Sequence, residues 1–168
     1  MRRSLVVVLI TMLMSGFGVS VAEAGPLRVR FDPNDSTSKL DIHKVITRLS
    51  PSKMYLRLSS WDRFRLNSMR ETWGFDLDTT GSPLFDRWAQ IYPSPHGVKC
   101  YVGEGPHGVK EIGIRHATRP DRRSAACHLP RGWFGPIHRA VRFMAFIEEP
   151  SSPSAADDAP DKGLYRWI

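Results

Sequence analysis

The segment from residue 95 to residue 114 reads PHGVKCYVGEGPHGVKEIGI and says most about how this chain folds. Its first five residues recur unchanged eleven positions later, and each copy leads into a run of residues with high β propensity. Between these runs, Gly103-Glu104-Gly105-Pro106 is a typical turn sequence. The segment therefore predicts a β-hairpin with strands at 98–102 and 109–114. Two copies are too few for a repeat architecture.

Four other segments have strand patterns, although one of them is ambiguous. Residues 27–31 and 54–58 alternate apolar with polar side chains, as half-buried strands do, and 75–79 has the same pattern over a shorter length. In 137–147 the alternation favours a strand, whereas Pro136, placed where a helix would begin, favours a helix. We expect a strand there because aromatic and β-branched residues are frequent.

Helical spacing marks further segments. In 38–49 the apolar residues fall at positions i, i+3, i+4 and i+7, which predicts an amphipathic helix: Ile42, Val45, Ile46 and Leu49. A second helix is expected over 61–73, and a proline at a first helical position predicts a shorter one over 82–91, with a strand over 88–92 as the alternative. The predicted fold class is therefore α+β: a small single domain with an antiparallel sheet, one or two short helices and one disulfide.

The start of the chain has the features of a secretory signal peptide. Residues 1–4 form a short basic segment with two arginines, and residues 5–21 are uncharged and mainly apolar. Ala22-Glu23-Ala24 then places small residues at both positions that a signal peptidase recognises. A membrane anchor is the alternative, but glycine and serine dilute the second half of the apolar run. We expect cleavage before Gly25, secretion, and a mature basic domain over 25–149.

The chain has two cysteines, Cys100 and Cys127. In an oxidising compartment two cysteines most simply pair, and two separate buried thiols are the alternative. Prolines at 120 and 130 argue against regular structure in 115–132, which we expect to be a basic loop. A disulfide would hold this loop against the first strand of the hairpin.

The charge is unevenly distributed along the chain. The whole sequence carries a formal +7, of which residues 1–24 contribute +1 and the residues from Glu148 onward contribute −3, so 25–147 carries +9. Such a basic body suits contact with an anionic partner or a polyanion, although charge also serves solubility. The composition of 150–168 predicts a disordered tail whose apolar end, 164–168, folds back onto the domain. No segment after the leader reaches transmembrane length.

The basic loop and the aromatic pair that follows it form the candidate binding surface. Arginine and aromatic side chains together are typical of interface hot spots. The binding residues expected on this basis are Arg115, Arg119, Arg122, Arg123, Arg131, Trp133 and Phe134.

A secreted ribonuclease-like hydrolase is the alternative from a different class. Its chemistry requires a base, an acid and a cation, which His107 (or His96), Glu111 (or His116) and Arg115 could supply. Strand alternation would bring Glu111 and Arg115 to one face, where an exposed salt bridge explains them equally well. No histidine or cysteine spacing indicates a metal, and no glycine-rich loop indicates a cofactor, so we expect neither. Asn34 begins a glycosylation sequon in an expected surface turn.

In architecture the chain resembles the small secreted effector-type proteins of plant-pathogenic fungi. This resemblance is carried by the leader, the short mature domain and the single pair Cys100/Cys127. The stretch from Cys100 to Trp133, about a quarter of the chain, is similar to the rice-blast group of β-sandwich effectors. The predicted helix at 38–49 and the length of 168 residues depart from that group. The resemblance implies a non-enzymatic virulence protein that binds a host or neighbouring-cell target; an extracellular binder of acidic polymers is a further alternative.

Overall fold

The computed structural model describes residues 25–35, 41–63, 72–82, 84–105, 110–137, 141–149 and 152–167. One short 3₁₀ helix, Arg131–Phe134, lies between the eighth and ninth strands of this part of the chain. The described part of the chain contains eleven strands: β1 (Arg28–Phe31), β2 (Ile42–Leu49), β3 (Lys53–Ser60), β4 (Thr72–Asp78), β5 (Arg87–Ser94), β6 (Gly97–Glu104), β7 (Lys110–Asp121), β8 (Ser124–Pro130), β9 (Arg142–Glu149), β10 (Ser152–Ala159) and β11 (Tyr165–Arg166).

The strands form one curled antiparallel sheet that resembles half a barrel. Its order is β1-β2-β3-β8-β7-β6-β5-β4-β9-β10, and β11 pairs with β9. The long strand β7 divides the sheet, because its first residues pair with β6 and its last residues pair with β8. We call β1, β2, β3, β8 and residues 117–121 of β7 the first half-sheet, and the remaining strands the second half-sheet.

The core lies on the concave side, between the two half-sheets. Phe143 of β9 is at its centre, with ring centroids 6.4 Å from Phe75 and 5.4 Å from both Tyr165 and Trp167. Burial of each large apolar side chain stabilises the fold by about 1.5–3 kcal/mol. The largest side chains buried completely include Phe75, Phe134, Phe143, Ile42, Met54, Leu56, Leu58 and Leu77.

The predicted disulfide is confirmed. Cys100 of β6 is bonded to Cys127 of β8, with Cα atoms 6.1 Å apart, and both residues are fully buried. Because β6 and β8 flank β7, the bond crosses the strand that the two half-sheets share. The hairpin prediction is also confirmed over the described residues, since β6 pairs with β7.

The α+β prediction is wrong, because the described chain is nearly all sheet. The expected helix at 38–49 is strand β2 from Ile42 onward. A bulge lies between Ile42 and Lys44 in its pairing with β3, so Ile42 and Val45 both face the core although they are three residues apart. One extra residue in a strand therefore produced the spacing of a helix.

The other two expected helices do not form in the described residues either. Thr72 and Trp73, at the end of the expected helix 61–73, begin β4, and residues 64–71 lie outside the described residues. The segment 82–91 leads into β5, so its strand alternative is the correct one. The strand interpretation of 137–147 is confirmed by β9.

The basic segment 115–132 and the described part of the tail, 152–167, are also ordered, contrary to expectation. The former makes up the second half of β7, all of β8 and the start of the 3₁₀ helix. Pro120 is accommodated because the register shift between Thr118 and Asp121 leaves it without a ladder partner. In the tail, β10 and β11 both pair with β9, and Trp167 is buried, as the apolar end predicted.

The predicted leader, residues 1–24, lies outside the described residues. Within the described part of the chain, no helix has both the length and the apolar character needed to cross a membrane.

Candidate functional site

The structure separates the predicted binding residues instead of gathering them into one surface. Arg115 of β7 stacks on Trp133, with the guanidinium carbon 4.7 Å from the ring centroid. Trp133 in turn covers Gly113, where any side chain would clash with the indole. This Arg–Trp pair is a compact cation–π contact at the margin of the core.

The remaining predicted residues lie elsewhere. Arg122 and Arg123 form the turn between β7 and β8, about 23–26 Å from Arg115 at the rise of an extended strand. Arg119 of β7 donates from its guanidinium to the Arg122 carbonyl at 3.1 Å. Arg131 donates a hydrogen bond to the Ser50 carbonyl at 3.4 Å. Phe134 is fully buried in the core, so its side chain is not available to a binding partner.

The nuclease candidates are not assembled by the described residues. A register shift places Glu111 opposite Gly103 and Gly113 opposite Val102, so Glu111 and Arg115 face opposite sides of the sheet. The expectation that they share a face is wrong, because it assumed unbroken alternation. His96 is exposed in the β5–β6 turn, and His107 lies outside the described residues.

The convex side of the first half-sheet carries a surface that the sequence did not reveal. Across the described strands of this half-sheet there are seven lysine and arginine residues and one carboxylate, Asp121, which pairs with Arg57 at 2.7 Å. Successive side chains of a strand point to opposite faces of the sheet. Some of these basic side chains therefore point to the convex side, because the residues next to them in the strand are buried in the core. We define the basic face as Lys44, Arg48, Lys53, Tyr55, Arg57 and His128.

A groove of about 380 Å³ opens on the basic face. Two aromatic rings form part of its wall, Tyr55 and His128, whose centroids are 4.7 Å apart on adjacent strands. Arg48 is held in place by donating from Nε to the Gly25 carbonyl at 3.0 Å. The described residues that line the groove include no carboxylate: Leu27, Arg48, Ser50, Lys53, Tyr55 and His128.

The edge strand β1 adds apolar side chains to the same convex side. Val29 pairs with Ile46 and Phe31 pairs with Lys44, so both face outward beside the basic face. The exposed fractions are 53% for Leu27, 38% for Val29 and 69% for Phe31. Three exposed apolar side chains on one sheet edge are typical of a contact surface.

A separate acidic cluster lies where the two ends of the sheet meet. Asp32 and Asp35 follow β1, Asp157 lies in β10, and Asp161 follows β10. One carboxylate oxygen from each residue lies within 4.8 Å of the others. Asp32 and Asp157 are buried, whereas Asp35 and Asp161 are exposed. These are the described residues that could hold a metal ion.

The electrostatics of the cluster follow from its burial. Desolvation, and then the charges of Asp157 and Asp161, raise the pKa of Asp32 to about 7. Desolvation also raises the pKa of Asp157 to about 6, although the hydrogen bond from the Ile42 amide opposes this. The sequence does not reveal the cluster, because it predicts a surface turn around Asn34 and a disordered tail that includes Asp157. The Asp-x-x-Asp spacing of 32 and 35 was the only local signal.

Asn34 is exposed in a bend beside this cluster, as a sequon requires.

Searches of protein-family models, curated proteins and solved structures find no match to this chain.

Proposed function

We propose that this chain is a secreted, non-enzymatic protein that binds a partner protein of a host or neighbouring cell through the basic face and the adjoining edge of β1. The observation that carries the proposal is the charge of the basic face, where Asp121 is the only carboxylate of the described strands of the first half-sheet to accompany Lys44, Arg48, Lys53 and Arg57. The expected partner segment is acidic, with apolar side chains among its carboxylates.

The apolar residues favour a protein partner over a polymer of uniform charge. Phe31 and Leu27 lie next to the cations, and a partner that covers them gains apolar burial as well as charge pairing. A nucleic-acid duplex or an acidic polysaccharide would engage the cations by backbone charge and leave these two side chains in water. Tyr55 and Arg57 are the residue types that carry most binding energy in protein interfaces.

Binding is favoured over catalysis because Glu111 and Arg115 face opposite sides of the sheet. The extracellular location rests on the leader-like residues 1–24, and the Cys100–Cys127 bond is consistent with it. A non-enzymatic protein that acts outside its own cell is also what the resemblance to effector-type proteins implies.

The test is selection of a random peptide display library against the disulfide-bonded mature chain, residues 25–168. We expect enriched peptides to combine Asp or Glu with apolar residues. Their affinity should fall at least tenfold on Lys53→Glu and at least fivefold on Phe31→Ser. Lys99→Glu is the matched control, because Lys99 is a strand lysine on the second half-sheet and changes the net charge equally.

Three outcomes would contradict the proposal. The first is equal loss of peptide affinity in the Lys53 and Lys99 variants. The second is binding of heparin or RNA that depends on Lys53 but not on Phe31, which would favour the polymer-binding alternative. The third is cleavage of RNA by the purified chain, abolished by His107→Ala, which would favour the hydrolase.

A further inference from the structure

The acidic cluster brings together residues that are far apart in the chain but adjacent in the curled sheet. Asp32 and Asp35 follow β1, which is the first strand in the sheet order, whereas Asp157 lies in β10, which is the last. An oxygen from each of the four carboxylates, Asp161 included, lies within 4.8 Å of the others. Repulsion among four carboxylates in so small a space opposes this arrangement unless a positive charge compensates it.

One of these carboxylates is buried with unmet polar capacity. Asp32 is 4% exposed, and its Oδ2 atom is enclosed and has no hydrogen-bond partner among the described residues. The same carboxyl group contributes an oxygen to the cluster. An enclosed carboxylate oxygen without a donor costs folding free energy, and a bound cation removes that cost.

A second carboxylate is positioned before any ion binds. Asp157 is 8% exposed, and its Oδ2 accepts the Ile42 amide at 2.6 Å. This bond fixes the Asp157 side chain against β2. All four members of the cluster are aspartates, so the cluster itself contributes no positive charge. Two exposed members, Asp35 and Asp161, leave an approach from solvent.

The geometry points to a site for one calcium ion, held by carboxylate oxygens of Asp32, Asp35, Asp157 and Asp161. Calcium binds six to eight oxygens at 2.3–2.6 Å, so oxygens on opposite sides of the ion lie about 5 Å apart. The separations of up to 4.8 Å in the cluster fit that ion. Magnesium fits less well, because it requires oxygens at about 2.1 Å in a strict octahedron.

The ion would join the two ends of the curled sheet. Its ligands come from the segments next to the first and last strands, beside the Asp157–Ile42 hydrogen bond that already connects β10 to β2. Calcium would therefore stabilise the closed edge of the fold. This inference does not depend on the partner proposed for the basic face, which lies on the convex side of the first half-sheet.

The test uses the mature disulfide-bonded chain, freed of metal with EDTA and exchanged into chelator-free buffer at pH 7.5. Calorimetric titration with CaCl₂ should show one ion per chain, and saturating CaCl₂ should raise the melting temperature by at least 5 °C. Asp32→Asn and Asp157→Asn should each weaken calcium binding at least thirtyfold and remove most of the thermal shift. An asparagine at 157 still offers an oxygen to the Ile42 amide, so the fold should persist.

Asp158→Asn is the matched control. Asp158 is the next residue of β10 and lies outside the cluster, so its variant should bind calcium within threefold of the unmodified chain. A second readout separates misfolding from loss of the site: metal-free Asp32→Asn should melt no lower than the metal-free unmodified chain, because it removes a repelling charge. Absence of calcium binding up to 10 mM, equal effects of Asp158→Asn and Asp32→Asn, or an equal thermal shift with MgCl₂ would overturn the assignment.

Discussion

Two glycines in this sheet are required because an indole ring lies directly on each of them. Trp88 covers Gly103 on the neighbouring strand, and Trp133 covers Gly113 one strand further on. A Cβ atom at Gly103 would lie only 1.9 Å from the Trp88 ring. Each ring therefore packs directly against the backbone, which buries apolar area that a side chain at the glycine would displace.

The variant Gly103→Ala tests this packing. We expect it to lower the free energy of unfolding by about 1–3 kcal/mol, because the buried Trp88 ring must move to admit the new methyl group. Urea denaturation followed by tryptophan fluorescence measures the change. Gly132→Ala is the control, since nothing lies within 4 Å of its Cβ position, and it should change stability by less than about 0.5 kcal/mol. Equal destabilisation by both variants would contradict the argument.

Single residues also explain which parts of the fold the sequence predicted. Cys100 and Cys127 were paired correctly because the chain offers no other partner for either. The spacing of Ile42 and Val45 predicts a helix, but a bulge that depends on β3 breaks the alternation of β2 and produces the same spacing. Asp32 and Asp157 were not connected, since no local pattern shows which strands meet when a sheet curls.

At the level of whole elements, the prediction from composition differs most from the structure in the C-terminal segment. β10 is built from Ser, Pro, Ala and Asp, a composition typical of disordered tails, yet it pairs with the apolar strand β9. The next strand, β11, covers the other end of β9, and the amide of Trp167 donates to the Val141 carbonyl at 2.7 Å. Partner strands therefore supply the apolar contacts that these elements lack in their own sequence.

Trp167→Ala tests whether this segment is part of the folding unit. The indole is 3% exposed and contacts Phe143 with ring centroids 5.4 Å apart, so we expect a loss of about 3–5 kcal/mol in the free energy of unfolding. Lys162→Ala is the control in the same segment, because its side chain is exposed, and it should have almost no effect. Unchanged urea denaturation of the Trp167 variant would show that the segment folds independently of the core.

On the scale of the whole molecule, the two half-sheets differ in charge but share one core, the strand β7 and the disulfide. The first half-sheet is strongly basic, whereas the second contributes most of the buried carboxylates, among them Asp76, Asp78 and Asp157. β7 runs through both, and the Cys100–Cys127 bond links them on the core side of that strand. The basic face therefore depends on a scaffold that the disulfide holds across the division.

Loss of the disulfide should lower the stability of the whole fold. The bond closes a loop of 27 residues, for which restriction of the unfolded chain corresponds to about 3.5 kcal/mol. We expect Cys100→Ala/Cys127→Ala to lose about that free energy of unfolding, with a steeper urea dependence because the unfolded chain expands. Both sulfurs are buried, so the loss includes some packing, and the wild-type chain reduced in denaturant and refolded under reductant separates the two effects. If the reduced and oxidised wild-type chains unfolded at the same urea concentration, the bond would not be what holds the two half-sheets together.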